Sequence, residues 1–275
     1  MRKLHQVGVW EKWLPALTSD CGRCRGLCCA ALFFSKCEGF PADKAAGEPC
    51  AHLRPDYRCA VHGELARRGL RGCMAFDCLG AGQEAAALFP DGDWMARRER
   101  AGAQFAAFER LRHLHQTLWY LAEADCLIPA ESLRGALEAL IAENRALCAL
   151  PAGELTEAMA EEHRQRVNPL LREAAALVKK AAGGSFRRRS SDYIGKDFAA
   201  ARLDGADFST ALLIAADLSG CSLYGANLLG ADLRDADLRD ADLSECIFLT
   251  QGQVNGARGS RGTRLPAALR RPEGW

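Results

Sequence analysis

Residues 226–243 read ANLLGADLRDADLRDADL, in which a small residue recurs every five positions and a leucine follows two positions later. The alternation continues without a break through ten successive blocks of five residues. The first positions of these blocks are Ala201, Ala206, Ala211, Ala216, Cys221, Ala226, Ala231, Ala236, Ala241 and Cys246. The third positions are Leu203, Phe208, Leu213, Leu218, Leu223, Leu228, Leu233, Leu238, Leu243 and Phe248. Two looser blocks lie upstream, centred on Tyr193 and Phe198.

A period of five fits neither regular secondary structure. In an α-helix five residues rotate by about 140° beyond a whole turn, so the leucines would spiral around every face. In a long strand, odd steps alternate between the two faces of a sheet. The chain must therefore turn after each block, with the third position pointing inward and a small first position beside it. Cys221 and Cys246 occupy first positions, so we predict that they are buried small side chains.

The blocks Ala226-Asn227-Leu228, Ala231-Asp232-Leu233, Ala236-Asp237-Leu238 and Ala241-Asp242-Leu243 resemble the pentapeptide-repeat family, whose pattern is A-(D/N)-L-x-x. The resemblance implies a right-handed quadrilateral β-helix, a solenoid with four blocks in each coil and three coils over residues 191–250. The tail, residues 251–275, is similar to the ending of many bacterial pentapeptide-repeat proteins. We interpret it as a cap, because an uncovered last coil would expose a row of unpaired backbone groups.

The repeat region is acidic, with eleven acidic residues against four basic ones between Ser191 and Thr250. Asp197, Asp217 and Asp237 are twenty residues apart and should stack on one face, where Asp240 joins them. The ordinary interpretation of such a face is a solvated exterior, and the alternative is a contact surface. The resemblance to gyrase-protecting relatives suggests DNA mimicry, with gyrase or a topoisomerase as the partner. Length argues against it, since three coils match only about eight phosphate charges of a duplex.

A second pattern is a cluster of nine cysteines near the N-terminus. We predict that all nine are metal ligands: Cys21, Cys24, Cys28, Cys29, Cys37, Cys50, Cys59, Cys73 and Cys78. The two-residue gap between Cys21 and Cys24 lets two thiolates turn onto one metal ion, and Gly22 and Gly26 permit the tight backbone that this needs. We predict that one of the adjacent pair Cys28 and Cys29 completes the first site, while the other serves a second site or a core. Ligands from the Cys50–Cys78 half would close the first site, with His52 and His62 in reserve.

The metal would be structural, because the region is poor in large apolar residues and a small loop-rich unit needs such a ligand to fold. Zinc is favoured, and an iron–sulfur cluster is the alternative for an all-thiolate site. The run Cys21-x2-Cys24-x3-Cys28-Cys29, followed by Cys50, Cys59, Cys73 and Cys78, resembles a family of cysteine-cluster proteins to which zinc or iron chelation is ascribed. Arg54-Pro55 precedes Cys59, whereas that family's pattern has it after the cysteine, so the ligands beyond Cys29 stay open.

Between these patterns, apolar residues at helical spacing predict helices over residues 94–182, with Pro169 kinking or splitting the last of them. His113 and His115 are two residues apart on the first long helix and face different ways, so we interpret them as surface or packed histidines. The predicted organisation is multidomain, with α and β parts. Its parts are a cysteine-rich metal-binding module (1–92), a helical region (93–182), a linker (183–190), the repeats (191–250) and the cap or tail (251–275).

The function that these features favour is a non-enzymatic scaffold or adaptor that binds a protein partner. The alternatives are a metal-cluster enzyme or redox sensor, and the DNA-mimic protein. The formal net charge is +1 and the basic run Arg187–Arg189 is short, so nucleic acid is not an expected partner. The N-terminus lacks the apolar core of a signal peptide and no stretch reaches about 18 apolar residues, so we expect a cytoplasmic protein without membrane contact.

Overall fold

The computed structural model describes residues 3–6, 8–92 and 94–275. Eight α-helices lie within these residues: α1 Leu14–Leu17, α2 Leu27–Ala31, α3 Arg71–Ala75, α4 Ala81–Ala87, α5 Ala101–Cys126, α6 Arg134–Cys148, α7 Glu157–Ala182 and α8 Gln251–Gly256. Short 3-10 helices occupy Val9–Lys12, Lys36–Glu38, His62–Glu64, Arg98–Arg100 and Ile128–Leu133. In this part of the chain, no helix combines the length and the hydrophobicity that a bilayer-spanning segment needs.

The long helices α5, α6 and α7 occupy the region where apolar spacing predicted them. Helix α5 buries Phe108, Leu111 and Leu118, which recur at intervals of three and seven residues and therefore share one face. Helix α7 is not split at Pro169 and continues through it.

We call residues 191–250 the repeat coil. Within it, isolated parallel bridges join residues that are twenty positions apart. Asp197 pairs with Asp217, and Asp217 pairs in turn with Asp237. Backbone hydrogen bonds accompany each bridge; for example, the Leu218 N–H donates to the Asp237 carbonyl at 2.9 Å. Twenty residues are four blocks of five, so the chain returns to the same position after four blocks, the number that the family resemblance implied.

A turn at the end of every block makes the chain change direction. The Ala206 N–H donates to the Leu203 carbonyl at 3.0 Å and closes a four-residue turn. Its third residue, Gly205, has a φ of 63°, which is the left-handed value that a type II turn requires at this position. The same left-handed value recurs at every fifth residue from 195 to 240. These residues are Gly195, Ala200, Gly205, Thr210, Ala215, Gly220, Gly225, Gly230, Asp235 and Asp240.

The predicted interior of the repeat coil is confirmed. All ten third-position side chains, from Leu203 to Phe248, are buried, and so are the small first-position residues from Ala206 to Cys246. Cys221 and Cys246 are buried small residues, as predicted. The small residue leaves room for the large side chain beside it, which explains why the two sizes alternate so strictly.

The expected right-handed quadrilateral β-helix is wrong. No described residue lies in a β-strand or a sheet, and the repeats contribute turns and single-residue bridges instead. The reason lies in the length of the block. The chain changes direction after the third residue of each block, so the bridge formed by the second residue is not followed by another in the same direction and never extends into a strand.

The chain divides into two compact units that do not follow chain order. One unit combines residues 1–12, 122–137 and 169–275, and the other combines residues 13–121 and 138–168. We call them the repeat unit and the cysteine unit. Within the repeat unit, Arg258 and Arg264 of the tail form further parallel bridges with Asp237 and Asp242, so the tail pairs with the last coil. The sequence boundaries given above stay a prediction.

Candidate metal centre in the cysteine unit

The nine clustered cysteines lie in loops and short helices of the cysteine unit. Cys28 and Cys29 are on α2 and Cys73 is on α3, whereas Cys37 lies in an exposed 3-10 turn. All thirteen cysteines of the chain are free thiols in this structure. Most of the nine are partly buried, and five of them pack against one of two hydrophobic cores. We group the cysteines into two sets by these cores and by their nearest charged neighbours.

The first cysteine set consists of Cys21, Cys24, Cys28 and Cys78. Its members Cys24, Cys28 and Cys78 pack against the main core of the unit, where Leu27, Trp94 and Phe108 are fully buried. Burial, together with the neighbouring Cys78 and Cys21, raises the pKa of the Cys24 thiol to about 11. Burial raises the pKa of Cys21, and the nearby Cys78 and Cys29 contribute to the rise. Cys78 therefore lies close to both Cys21 and Cys24.

The second cysteine set consists of Cys29, Cys50, Cys59 and Cys73. Cys59 and Cys73 pack against a smaller core made of Phe40, Val61 and Leu70. The backbone joins the other two members, since the Cys50 N–H donates to the Cys29 carbonyl at 2.9 Å. Burial, together with the three other members, raises the pKa of Cys73 to about 12. Cys37 belongs to neither set.

Helix α2 explains why the adjacent pair Cys28 and Cys29 serves two sets. Successive helical residues point about 100° apart, so the two side chains diverge from one short helix. Their sulfurs lie 4.0 Å apart, where the two sets meet. The hydrogen bond from the Cys28 thiol and the positive charge of Lys44 lower the pKa of Cys29, although burial opposes them.

Both sets supply the donors of a structural zinc site, but they hold them wider than a closed site does. Four sulfurs at 2.3 Å from one metal ion stand roughly 3.8 Å apart. Within the described residues, no three cysteine sulfurs lie within 4.8 Å of one another. Of the reserve ligands, His52 donates its backbone N–H to the Cys50 sulfur at 3.4 Å, and His62 is exposed. Closure of either set around a metal therefore stays a prediction.

Gly82 on α4 gives a test of the packing around the first cysteine set. A Cβ atom at Gly82 would lie 2.8 Å from the Cys24 sulfur and 3.5 Å from the Cys78 sulfur. We expect Gly82→Ala to destabilise the cysteine unit by about 1–3 kcal/mol through overpacking, measured by urea unfolding. Alanine is the better helix former by about 1 kcal/mol, so this loss would oppose helix propensity.

Gly102 on α5 is the matched control, because a Cβ atom there would meet nothing within 4 Å. Gly102→Ala should therefore stabilise the protein by up to about 1 kcal/mol. Equal stabilisation by the two substitutions would show that the space between Cys24 and Cys78 is not tightly filled.

The acidic residues of the repeat coil are also placed by the structure. The bridges stack Asp197, Asp217 and Asp237 in one column, as predicted. Each carboxylate accepts the backbone N–H of the residue two positions later, such as the Ser219 N–H at 2.9 Å from Asp217. Asp237 also forms a bidentate ion pair with Arg239. Asp240 instead accepts from the Ser260 hydroxyl at 2.8 Å. These carboxylates thus satisfy the coil's own donors.

Comparison with known proteins agrees with the repeat. The family described as pentapeptide repeats matches residues 197–228 and 211–248, with eight copies. The C-terminal part of the chain is therefore a pentapeptide-repeat region. Over 264 residues the chain is 39% identical to the uncharacterized protein YybG of Bacillus subtilis (strain 168), a match that covers 94% of this chain and 95% of YybG. The chain belongs to the same family as YybG. The resemblance of the cysteine cluster to metal-chelating proteins stays a prediction.

Proposed function

We propose that this protein is a non-enzymatic scaffold or adaptor, in which metal ions stabilise the cysteine unit and the repeat coil presents a surface to a protein partner. The observation that carries the proposal is the grouping of the clustered thiols around two cores, with Cys24, Cys28 and Cys78 packed against one and Cys59 and Cys73 against the other. Four thiolates are the full ligand set of a structural zinc site, with no position left for a substrate.

The weakness of the second core supports a structural role for the metal. That core has three buried hydrophobic residues, Phe40, Val61 and Leu70, to hold the loops around them. Metal binding to four thiolates would close these loops and supply folding free energy that so few apolar side chains do not. Zinc is the simplest occupant. An iron–sulfur cluster would instead favour the redox-sensor alternative.

The repeat coil supplies the binding surface in this proposal. Its interior is filled by its own side chains, so a partner has only the outer positions to contact. The outward Leu212 is 40% exposed and stands in a column between Asp192 and Asp232. An apolar side chain flanked by carboxylates suits a protein surface better than a nucleic acid.

Metal content is the direct test. We expect the anaerobically purified full-length chain to carry about two zinc ions in closed thiolate sites, measured by elemental analysis. Cys24→Ser should remove the ion of the first cysteine set and Cys73→Ser that of the second, because each takes one ligand from a different set. Either loss should lower the stability of the cysteine unit.

Cys37→Ser is the matched control, since Cys37 is exposed and belongs to neither set; it should leave the metal content unchanged. Iron with visible absorbance in place of zinc would favour the redox alternative. A folded protein that contains neither metal would contradict the proposal.

A further inference from the structure

A second kind of ligand cluster lies among the helices of the cysteine unit, away from the nine clustered cysteines. One ligand atom from each of Glu84 on α4, His115 on α5 and Cys148 on α6 lies within 4.8 Å of the other two. His115 is 1% exposed and Cys148 is 7% exposed. Among the described residues it is the one group of three or more such side chains with this proximity. The residues come from three helices, so tertiary packing alone assembles them.

One ring nitrogen of His115 is hydrogen-bonded to a backbone carbonyl, and the other faces Glu84. Its Nδ1 lies 2.6 Å from the backbone carbonyl of Leu79, and a carbonyl can only accept, so Nδ1 carries a proton. In the neutral ring the lone pair of Nε2 then faces the Glu84 carboxylate oxygen, 2.7 Å away. Two acceptors cannot face each other at this distance without a proton or a metal ion. Either a proton, on the ring or on the carboxyl group, joins the two atoms, or both atoms bind one metal ion beside them.

We propose that Glu84, His115 and Cys148 bind one divalent metal ion, zinc by its donor preference, in a site distinct from the two cysteine sets. Imidazole nitrogen, carboxylate oxygen and thiolate sulfur are all zinc ligands. Three protein ligands leave the fourth tetrahedral position open, which is the arrangement of catalytic rather than structural zinc sites. The site therefore gives the chain a place where a water molecule or another small ligand could bind a metal.

The surroundings of the cluster match a metal site in two further ways. A metal-bound histidine usually donates its other ring N–H to a carbonyl or carboxylate, which fixes the tautomer, and the Leu79 carbonyl provides this partner. The Glu84 side chain is 39% exposed, whereas the other two ligands are buried. Glu84 therefore lies where the cluster meets solvent, which gives an exchangeable ligand a route to the open position.

The buried Asn144 side chain contacts Cys148 behind the cluster. The Asn144 amide oxygen lies 3.7 Å from the Cys148 sulfur, one helical turn earlier on α6. The Asn144 side chain is fully buried and donates to the Leu114 carbonyl at 3.1 Å, on the same helix as His115. This contact ties α6 to α5 next to the cluster. Cys148 and His115 are therefore kept together by a polar contact that does not itself involve a metal.

Zinc titration of the chelator-stripped, reduced full-length protein tests the site. We expect a binding event of lower affinity than those of the closed thiolate sites, because the protein supplies three ligands instead of four. His115→Gln and Cys148→Ser should abolish this event, and Glu84→Gln should weaken it by more than about tenfold. The Glu84→Gln variant is isosteric and partly exposed, so its fold should survive if the other two variants misfold.

His113→Gln is the matched control, because His113 lies on the same helix two residues away and does not belong to the cluster; it should titrate like wild type. Cys24→Ser should remove a tight event and leave the weaker one, which separates this proposal from the proposed function. Equal zinc stoichiometry and affinity in wild type and the folded Glu84→Gln protein would overturn the proposal. A doubly protonated His115 ring in the zinc-saturated protein, seen by nitrogen NMR, would also overturn it and assign the cation as a proton.

Discussion

Leu238→Ala should lower the free energy of unfolding of the repeat unit by about 2–5 kcal/mol. Leu238 is a third-position residue of the repeat coil and is fully buried. The Leu218 N–H is bonded to the Asp237 carbonyl, so Leu218 and Leu238 occupy equivalent positions in successive coils. Truncating Leu238 therefore opens a cavity that backbone bridges on both sides prevent from collapsing. Urea unfolding followed by far-UV circular dichroism measures the loss.

Leu212→Ala is the matched control for this substitution. Leu212 is also a leucine of the repeat coil, but it occupies a second position and is 40% exposed. We expect a change within about 0.5 kcal/mol there. Equal losses in the free energy of unfolding from the two substitutions would show that the inward column of leucines does not stabilise the repeat coil. They would also contradict inward burial as the cause of the five-residue period.

His5 should make the stability of the repeat unit depend on pH. Its Nδ1 lies 3.1 Å from a carboxylate oxygen of Glu245, and its Nε2 lies 3.3 Å from one of Glu123. Burial by itself lowers the pKa of His5, but hydrogen bonds and charge attraction to the two glutamates outweigh it and raise the pKa to about 9. The folded protein therefore binds a proton on His5 more tightly than the unfolded chain does.

Protonated His5 therefore stabilises the folded repeat unit. This stabilisation is fully present below the unfolded-state pKa of about 6.5 and is lost as the pH rises through about 9, with a total of about 3 kcal/mol. The pKa of Glu245 is lowered, against the effect of its burial, by its bonds to His5 and Leu4, so its own contribution is lost in acid and not in this window. Free energies of unfolding measured at pH 6, 7, 8 and 9 should fall accordingly.

The comparison of wild type with His5→Gln isolates this effect, since thiols in the unfolded chain also ionise near pH 9 in both proteins. His62→Gln is the control, because His62 is exposed; it should keep the wild-type slope. A pH profile of His5→Gln that parallels wild type from pH 6 to 9 would show that the two glutamates do not hold a proton on His5.

The candidate sites differ in how far the sequence could predict them. The spacing of Cys21, Cys24 and the adjacent Cys28 and Cys29 marks a ligand cluster because its first ligands are neighbours in the chain. Glu84 and Cys148 carry no such signal, since they are 64 residues apart and each is an ordinary residue of its helix. His115 was interpreted as a surface or packed histidine, and only its burial beside Glu84 shows its chemical environment. His5 had no sequence signal at all.

The sequence by itself determined the interior of the repeat coil, because a repeated block imposes the same local geometry each time and its large and small positions can only face inward. It also determined the positions of the long helices, whose apolar spacing is a local property. The sequence was misleading about β-strands. Whether bridging residues join into a strand depends on how soon the chain turns, and the repeat pattern does not show this. Only the tertiary structure decided which thiols form each set and which distant side chains meet at His5 and His115. Those contacts join residues far apart in the chain, and local propensity does not encode them.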